Sequence, residues 1–420
     1  MGRMARNRER SNPRPVEKIE LSEGNTRRRM IAAALLLALG ATALVYAFYK
    51  FITPDSGWQE IEADSTAGIT CADEFMFYYE VGAGKMPASA EAREVKALYS
   101  QAARTAYQMF NRDEAFDDVV SVYEINRHPN EVLEVDEALY QAFAAIQSHG
   151  DRAIYLGPVY VRYDDMFSCT DDAQIVDFDP QTNEEVRQEY AEIAAFAADP
   201  ESIDLQLLEG NQIKLYVSDA YLAYAKQEGV ENFIDFFWMK NAFVVDYLAQ
   251  TMMDAGFVHG SISSYDGFVR NLDDRKVSYS LNVYDYADDM VYLAAAMDYK
   301  GELSAVSMRN YLLTSMDKRH SYQLQNGEVR TSYLDVQDAV CKSAVNDLIC
   351  YSRTQSCAEV LLAAKEVYIA ETLDKGKLSG LAAEGIYSIY SQDRIVIEND
   401  PNMTLTKLYN KDGVTYTTES

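Results

Sequence analysis

The sequence predicts an α+β fold behind one long apolar helix. Residues 213–217 and 277–284 alternate as strands do, whereas residues 91–110 and 233–253 repeat apolar side chains at helical spacing. Residues 404–416 carry a hairpin signal around a Lys-Asp-Gly turn. Strand and helix segments that interleave and end in antiparallel hairpins are typical of α+β domains.

An apolar segment near the N-terminus predicts a membrane anchor. Residues 30–49 carry no charged side chain over twenty positions, and a helix of that length reaches ~30 Å, enough to span a hydrocarbon core. Nine Arg or Lys residues precede it and end in Arg27, Arg28 and Arg29, which is the positive-inside pattern. We therefore predict a single transmembrane helix over residues 30–52, with a cytoplasmic N-terminus and an extracytoplasmic domain.

A cleavable signal peptide is the alternative to this anchor. Val45, Tyr46 and Ala47 loosely resemble a cleavage site, with small residues at its outer positions. The apolar run exceeds the ~7–15 residues of a usual signal, which favours the uncleaved anchor. Residues 1–29 are rich in Arg, Asn, Glu and Pro, cannot bury a core, and are predicted to form a disordered basic cytoplasmic tail.

The remainder divides into a tether and one domain. Residues 53–70 are rich in Ser, Thr, Gly and acidic side chains without apolar periodicity, so they are predicted to lift the domain off the membrane. Residues 71–420 show no internal Pro/Gly linker and no shift in composition. They are predicted to form one extracytoplasmic domain with insertions.

The charge of this part excludes one class of partner. From residue 53 onward there are 28 basic and 62 acidic side chains, which leaves a formal charge of −34. Nucleic-acid binding needs a basic patch that displaces counterions, so no nucleic-acid partner is expected. The same charge repels anionic headgroups and favours solubility.

The cysteines and histidines give no sign of a metal centre. The five cysteines have neither a Cys-x-x-Cys pair nor zinc-type spacing, and an odd count leaves at least one thiol free. Cys350 and Cys357, if they shared one helix, would lie ~10 Å apart, too far for a disulfide. The four histidines are scattered.

A series of segments between residues 71 and 400 carries the clearest functional signal. The segments are residues 121–127, 132–140, 233–248 and 256–272, then His320 with Asn326 and Gly327, then residues 344–347. This series resembles the FAD:protein FMN transferases, the ApbE-type family, whose members are membrane-bound or exported. The resemblance implies an α+β domain of the flavin-transferase type that binds FAD and magnesium.

The resemblance also implies a reaction and a partner. Members of the family cleave the pyrophosphate of FAD and esterify FMN onto a Ser or Thr hydroxyl of another protein. Such a pyrophosphate requires a divalent cation, which prefers oxygen ligands, and a group that helps to remove the hydroxyl proton. The expected partner is a flavin-acceptor or electron-transfer membrane protein.

Candidate site residues follow from the same resemblance. It implies Asp246 and His320 as catalytic residues, Asp347 as the metal ligand, and Ser121, Asn126, Lys240, Phe243 and Gly267 as cofactor-binding residues.

The family motifs are only partly kept. Asn241 and Ala242 stand where the family has lysine and glycine, and Tyr351 replaces a metal-binding threonine. Lys240 lies one position before the family's lysine, and neighbouring helix positions point ~100° apart. Asp266, beside Gly267, would crowd an anionic phosphate.

Two hypotheses therefore stay open. Lys240, His320 and Asp347 also have ordinary explanations, as a solvated lysine, a partly exposed histidine and a structural carboxylate. The chain is either a divergent flavin transferase that modifies an extracytoplasmic partner, or a catalytically silent member that binds flavin or another protein at the membrane.

Overall fold

The computed structural model describes the backbone of residues 26–52, together with residues 56–64, 70–403, 405–411 and 413–419. The predicted disordered tail lies largely outside these residues. So do parts of the predicted tether and the Asp412 position of the predicted C-terminal turn.

The N-terminal unit consists of one helix in the described residues. Helix α1 spans Thr26–Ile52, and the side chains described on it, from Met30 to Val45, are exposed. In the described part of the chain, no helix combines the length and the apolar character needed to cross a bilayer. The membrane anchor over residues 30–52 is therefore not confirmed and stays a prediction from the sequence.

Residues 56–420 form one compact unit, which begins earlier than the predicted boundary at residue 71. Strand β1 (Gly57–Glu60) pairs antiparallel with strand β2 (Phe75–Val81), and Ile61 is buried. Residues 57–61 of the predicted tether therefore belong to the folded unit, because backbone pairing draws this polar segment onto the sheet edge, and the rest of the tether stays a prediction.

Ten further helices belong to this unit in the described residues. They are α2 Ala88–Met109, α3 Val122–Arg127, α4 Glu137–Ser148, α5 Gly157–Asp164, α6 Asp172–Ile175, α7 Glu184–Ala198, α8 Asp219–Glu228, α9 Lys240–Asp254, α10 Cys357–Tyr368 and α11 Lys375–Ala383.

The remaining strands of the described chain follow β2 in sequence order. They are β3 Val132–Glu134, β4 Ile203–Leu208, β5 Gln212–Val217, β6 Gly260–Ser264, β7 Phe268–Asn271, β8 Ser278–Ala287, β9 Met290–Lys300, β10 Leu303–Arg309, β11 Ser321–Gln323, β12 Val329–Thr331, β13 Asp347–Ser352, β14 Tyr387–Gln392, β15 Ile395–Glu398, β16 Leu405–Leu408, β17 Asn410–Lys411, β18 Val414–Thr415 and β19 Thr417–Thr418.

One large sheet organises the domain. Its order is β1-β2-β6-β7-β10-β13-β14-β15-β19, and every neighbouring pair is antiparallel except β15 with β19. Smaller sheets, β16-β9-β8 and β3-β5-β4, accompany it. The antiparallel sheet with separate helices confirms the predicted α+β class.

Both faces of the large sheet are covered. Val306 and Leu348 face a core cluster shared with α2, α9 and α10, whereas their neighbours Ala305 and Ile349 face a second cluster shared with β8 and β9. Successive strand residues point to opposite faces, so a strand covered on both sides buries every residue. Strand β13 does so over all six of its positions.

Local signals set most boundaries, with one difference from prediction. Helix α7 begins after Asn183, whose side chain caps it by accepting the backbone N–H of Glu185. The helix predicted over residues 233–253 begins only at Lys240, after a 3-10 turn at Phe237–Met239. The 404–416 hairpin signal corresponds to the β17–β18 pair.

The cysteines do not form disulfides in the structure. All five are free thiols. Cys350 lies on β13 and Cys357 begins α10, so the assumption that they share one helix is wrong.

Candidate ligand-binding cleft

A polar cleft lies where α9 begins beside the ends of strands of the large sheet. Its walls come from the 3-10 turn Ala72–Glu74, the start of α9, the turn between β6 and β7, and the segments on either side of the β11–β12 hairpin. The cleft consists of two adjoining cavities, of about 260 and 240 Å³. Six residues line both cavities: Glu74, Asp164, Lys240, Asn241, Asp266 and His320.

Lys240 enters the cleft as half of an ion pair. Its Nζ lies 3.1 Å from Oε1 of Glu74. Burial would lower the pKa of the Lys240 ammonium, but the Glu74 carboxylate outweighs burial and raises that pKa. Burial likewise opposes ionisation of Glu74, and Lys240 reverses it and lowers the pKa of Glu74. Both groups therefore stay charged and neutralise each other.

Asn241 and Asp266 form the next wall. Asn241 Nδ2 donates a hydrogen bond to Asp266 Oδ2 at 2.9 Å. Asp266 lies in the β6–β7 turn, where Gly267 adopts a φ of +110°. A Cβ at Gly267 would lie 2.5 Å from the Ser307 carbonyl oxygen, so only glycine lets the turn approach β10 this closely. Burial raises the pKa of the Asp266 carboxyl.

A capped 3-10 turn positions His320. The turn spans Ser315–Arg319, and Thr314 with Asp317 forms a capping box at its start. Asp317 also pairs with Arg309 at the end of β10, which fixes the turn to the large sheet. His320 follows directly as the C-terminal cap and lines both cavities.

Unsatisfied polar atoms converge on this cleft. Four of its lining residues carry a buried atom without a hydrogen-bond partner in the described chain: Oδ1 of Asn241, Oδ1 of Asp266, Nε of Arg309 and Nδ1 of His320. Buried polar groups are rarely left unpaired, because each costs about 1–3 kcal/mol. Acceptors and a donor grouped around one cavity indicate a site for a polar ligand.

Three tyrosines belong to the lining of the same cleft. They are Tyr265, Tyr311 and Tyr333 in the larger cavity, and Tyr311 is almost fully buried. Tyr333 is held edge-on against Trp238, with ring centroids 4.9 Å apart, and Tyr311 is stacked on Tyr286 at 5.6 Å. Fixed aromatic faces beside unpaired polar atoms suit a planar heteroaromatic ligand.

The other predicted residues of α9 lie outside this cleft. Both Asp246 carboxylate oxygens accept backbone N–H groups at the start of α10, from Cys357 at 2.9 Å and Ala358 at 2.7 Å. Asp246 therefore caps a helix. Phe243 packs in the core against Phe110 and Phe236.

The predicted cofactor-binding residues near residue 120 also form hydrogen bonds with backbone groups. Ser121 is the N-cap of α3 and its hydroxyl donates to the Glu114 carbonyl. The Asn126 side chain both donates to and accepts from the backbone of Ile234 at 2.9 Å, and it is almost fully buried. Neither residue lines the cleft.

The predicted magnesium ligand is engaged elsewhere. Asp347 begins β13, where its carboxylate accepts hydrogen bonds from Ser307 Oγ at 3.2 Å and Tyr311 Oη at 2.7 Å. Tyr351 is buried with its hydroxyl 3.4 Å from Asp400. Among the described residues, no group of three or more His, Cys, Asp or Glu side chains could hold a metal ion. The residues present do not fit a magnesium site at Asp347.

Some cleft residues were not predicted from the sequence. Arg309 is the one charged residue of β10 and ends that strand, and a charge at such a position is a signal that could have been noticed. Arg112 bridges Asp235 at 2.5 Å and Asp164 at 2.6 Å in the second cavity. Glu74 lies 166 positions from its partner Lys240, so nothing local could have indicated that pair.

The structure is that of an α+β protein with a polar cleft that three tyrosines help to line. No family model matches the chain, and no curated protein matches it either. Solved structures share its fold. The ApbE protein of Thermotoga maritima aligns at a TM-score of 0.52 with 14% identity, over 83% of this chain and 97% of that one. The flavin transferase ApbE of Vibrio cholerae aligns at 0.54 with 13% identity, over 81% and 95%. The chain therefore has the fold of the ApbE flavin transferases.

Proposed function

We propose that this chain is a flavin-transferase-like protein whose cleft binds a flavin. The observation that carries the proposal is the group of four unpaired buried polar atoms beside three tyrosine rings, in a fold shared with flavin transferases. A flavin ring offers a flat aromatic face and an edge that carries both acceptors and a donor. Arg309 Nε would donate to that edge, and Asn241 and Asp266 would accept from it.

FMN transfer is the first candidate reaction. FAD would be the donor, the FMN phosphorus would form an ester with a Ser or Thr hydroxyl of an extracytoplasmic partner, and AMP would leave. His320 supports this candidate, because it lines the cleft and its Nδ1 has no hydrogen-bond partner, so the ring could take a hydroxyl proton. Lys240 supports it less, since Glu74 already neutralises its charge.

A silent flavin-binding module is the second candidate, and the geometry around Asp347 favours it. Ser307 and Tyr311 already occupy both oxygens of the one carboxylate expected to hold magnesium. Phosphoryl transfer gains most of its rate from charge placed around the transition state. In this arrangement the cleft would hold flavin at the membrane for a flavin-acceptor or electron-transfer partner, without magnesium-dependent transfer.

Mass spectrometry distinguishes the two candidates. The detergent-purified full chain is incubated with FAD, magnesium and a flavin-acceptor domain, and the acceptor is examined for a covalent FMN adduct. A parallel Asn241→Lys, Ala242→Gly double variant restores the family's lysine and glycine. Efficient transfer by the unmodified protein would reject the silent module. Flavin absorbance that copurifies with the protein, without an adduct, would support it, and absence of any flavin binding would reject the proposed function.

A further inference from the structure

The cleft carries an unusual charge pattern for a site that would receive a pyrophosphate. Six carboxylates line the two cavities, against four cationic side chains. The carboxylates are Glu74, Asp113, Asp164, Asp235, Asp266 and Asp317; the cations are Arg112, Lys240, Arg309 and Arg319.

Each of these cations already has a carboxylate partner. Lys240 pairs with Glu74, Arg309 with Asp317, and Arg112 with both Asp235 and Asp164. Arg319, which is half-exposed, lies 3.7 Å from Asp73. A phosphate that entered the cleft would have to displace a carboxylate from one of these pairs, and the displaced charge would be left beside it.

Asp266 adds a carboxylate that forms no ion pair in the described chain, although Lys240 and His320 lie close enough to act on its charge. Its Oδ2 accepts from the neutral amide of Asn241, and its Oδ1 is buried without a partner. The side chain lines both cavities. When ionised, such a buried and unpaired oxygen attracts an N–H donor and repels a phosphate.

The size of the cleft agrees with a small ligand. The two adjoining cavities measure about 260 and 240 Å³, so the whole cleft lies in the lower half of the ~300–1,000 Å³ usual for a small-molecule site. Resting on the flavin-binding function proposed above, we infer that the cleft selects an uncharged flavin, bound by its ring system, over phosphate-bearing flavins, and that Asp266 determines this selectivity.

Three ligands of one ring system test the inference. Riboflavin, FMN and FAD present the same isoalloxazine ring with different charge, and quenching of flavin fluorescence gives a dissociation constant for each with the full chain in a neutral detergent at pH 8. We expect riboflavin to bind at least about tenfold more tightly than FAD at low salt. Raising the salt concentration should narrow this ratio only slightly, because a buried charge such as that of Asp266 is screened much less than an exposed one.

Two variants separate the role of Asp266 from that of overall charge. Asp266→Asn keeps the shape of the side chain and removes its charge. The preference for riboflavin, measured as the dissociation constant of FAD divided by that of riboflavin, should therefore fall severalfold. Asp298→Asn removes one charge from an exposed position on β9, outside the lining of the cleft, and should leave the ratio unchanged.

The outcomes are distinguishable from failure of the proposed function. If FAD binds as tightly as riboflavin or more tightly, selectivity for an uncharged flavin is rejected while flavin binding stands. If both variants change the ratio equally, Asp266 is not the determinant. If Asp266→Asn does not fold, Asp266→Ser removes the same charge in its place, and an unchanged ratio in that variant overturns the electrostatic explanation. If none of the three ligands binds, the proposed function itself fails.

Discussion

The Tyr311 hydroxyl donates a hydrogen bond to Oδ2 of Asp347 at 2.7 Å, between the end of β10 and the start of β13. Ser307 on β10 donates to the other oxygen at 3.2 Å. The carboxylate that the family resemblance assigns to a metal is thus bound to two neutral donors. Tyr311 also lines the cleft, so this one contact connects the interior of the sheet to the proposed ligand site.

Removing the Tyr311 hydroxyl should destabilise the protein. In Tyr311→Phe, one oxygen of a buried carboxylate loses its donor, and we expect the free energy of unfolding to fall by about 1–3 kcal/mol. Urea denaturation at pH 7.5 measures it. Tyr78→Phe, at an exposed position on β2, is the control and should stay within about 0.5 kcal/mol of the unmodified protein. Equal stabilities for both variants would show that the Tyr311 bond contributes nothing.

The same carboxylate should make stability depend on pH. Burial raises the pKa of Asp347 from 3.8 to about 6, so the folded state holds the proton more tightly than the unfolded state does. The stability that this tighter proton binding contributes is fully present below pH 3.8 and is lost as the pH rises through 6. Between these two pH values, the free energy of unfolding of the unmodified protein should fall by up to about 3 kcal/mol relative to that of Asp347→Asn. Denaturant titrations at pH 4, 5, 6 and 7 measure the difference, and parallel curves would contradict the raised pKa.

Magnesium should not stabilise the protein. A ligand that binds the folded state raises Tm by linkage, and the described residues offer no group of three acidic, histidine or cysteine side chains to hold a metal ion. Thermal melts with and without millimolar magnesium, in the presence of FAD, should coincide. A rise in Tm that disappears in Asp347→Ala would show that the ion displaces Tyr311 and Ser307 and would restore the metal-ligand assignment.

Gly267 should be the least replaceable glycine near the cleft. In Gly267→Ala the new Cβ would meet the Ser307 carbonyl at 2.5 Å in addition to the strain of a φ of +110°. Gly256 has a φ of +81° but open space around its Cβ position, so Gly256→Ala reports backbone strain alone. In urea denaturation, we expect the free energy of unfolding to fall by about 1–2 kcal/mol in Gly256→Ala and by clearly more in Gly267→Ala. Equal losses of stability in the two variants would show that the close contact with Ser307 adds nothing to the backbone strain.

The predicted anchor is tested by topology. Ser420→Cys, in a background with the partly exposed Cys169 and Cys341 replaced by serine, provides a reporter at the C-terminus. An impermeant maleimide should label it in intact cells, because the Arg27–Arg29 cluster predicts a cytoplasmic N-terminus. Labelling only after lysis would reject the predicted orientation.

Periodicity alone identified much of the fold. Residues predicted as strands or helices by alternation or helical spacing lie in β5, β8 and α2, because the side-chain pattern of a regular element depends on its own sequence. The strand β1 was missed, since Gly57–Glu60 gains its structure only by pairing with β2.

The site was predicted less well than the fold. Lys240 and His320 do line the cleft, but Asp246, Ser121 and Asn126 bind backbone groups instead, and a carboxylate or amide in a sequence does not reveal which of these tasks it has. A resemblance of motifs carries over residue types and spacing, whereas the hydrogen bonds of each side chain depend on what the fold places beside it.

The sequence by itself determined the strongly acidic domain, the apolar segment before it and the α+β class, because charge, hydropathy and periodicity are properties of the chain in order. Only the tertiary structure decided that Glu74 forms an ion pair with Lys240. It alone also decided that Asn241 donates a hydrogen bond to Asp266 and that Tyr311 donates one to Asp347. These pairs join residues from 25 to 166 positions apart. Strand order and turn geometry bring them together, and neither can be read from local sequence.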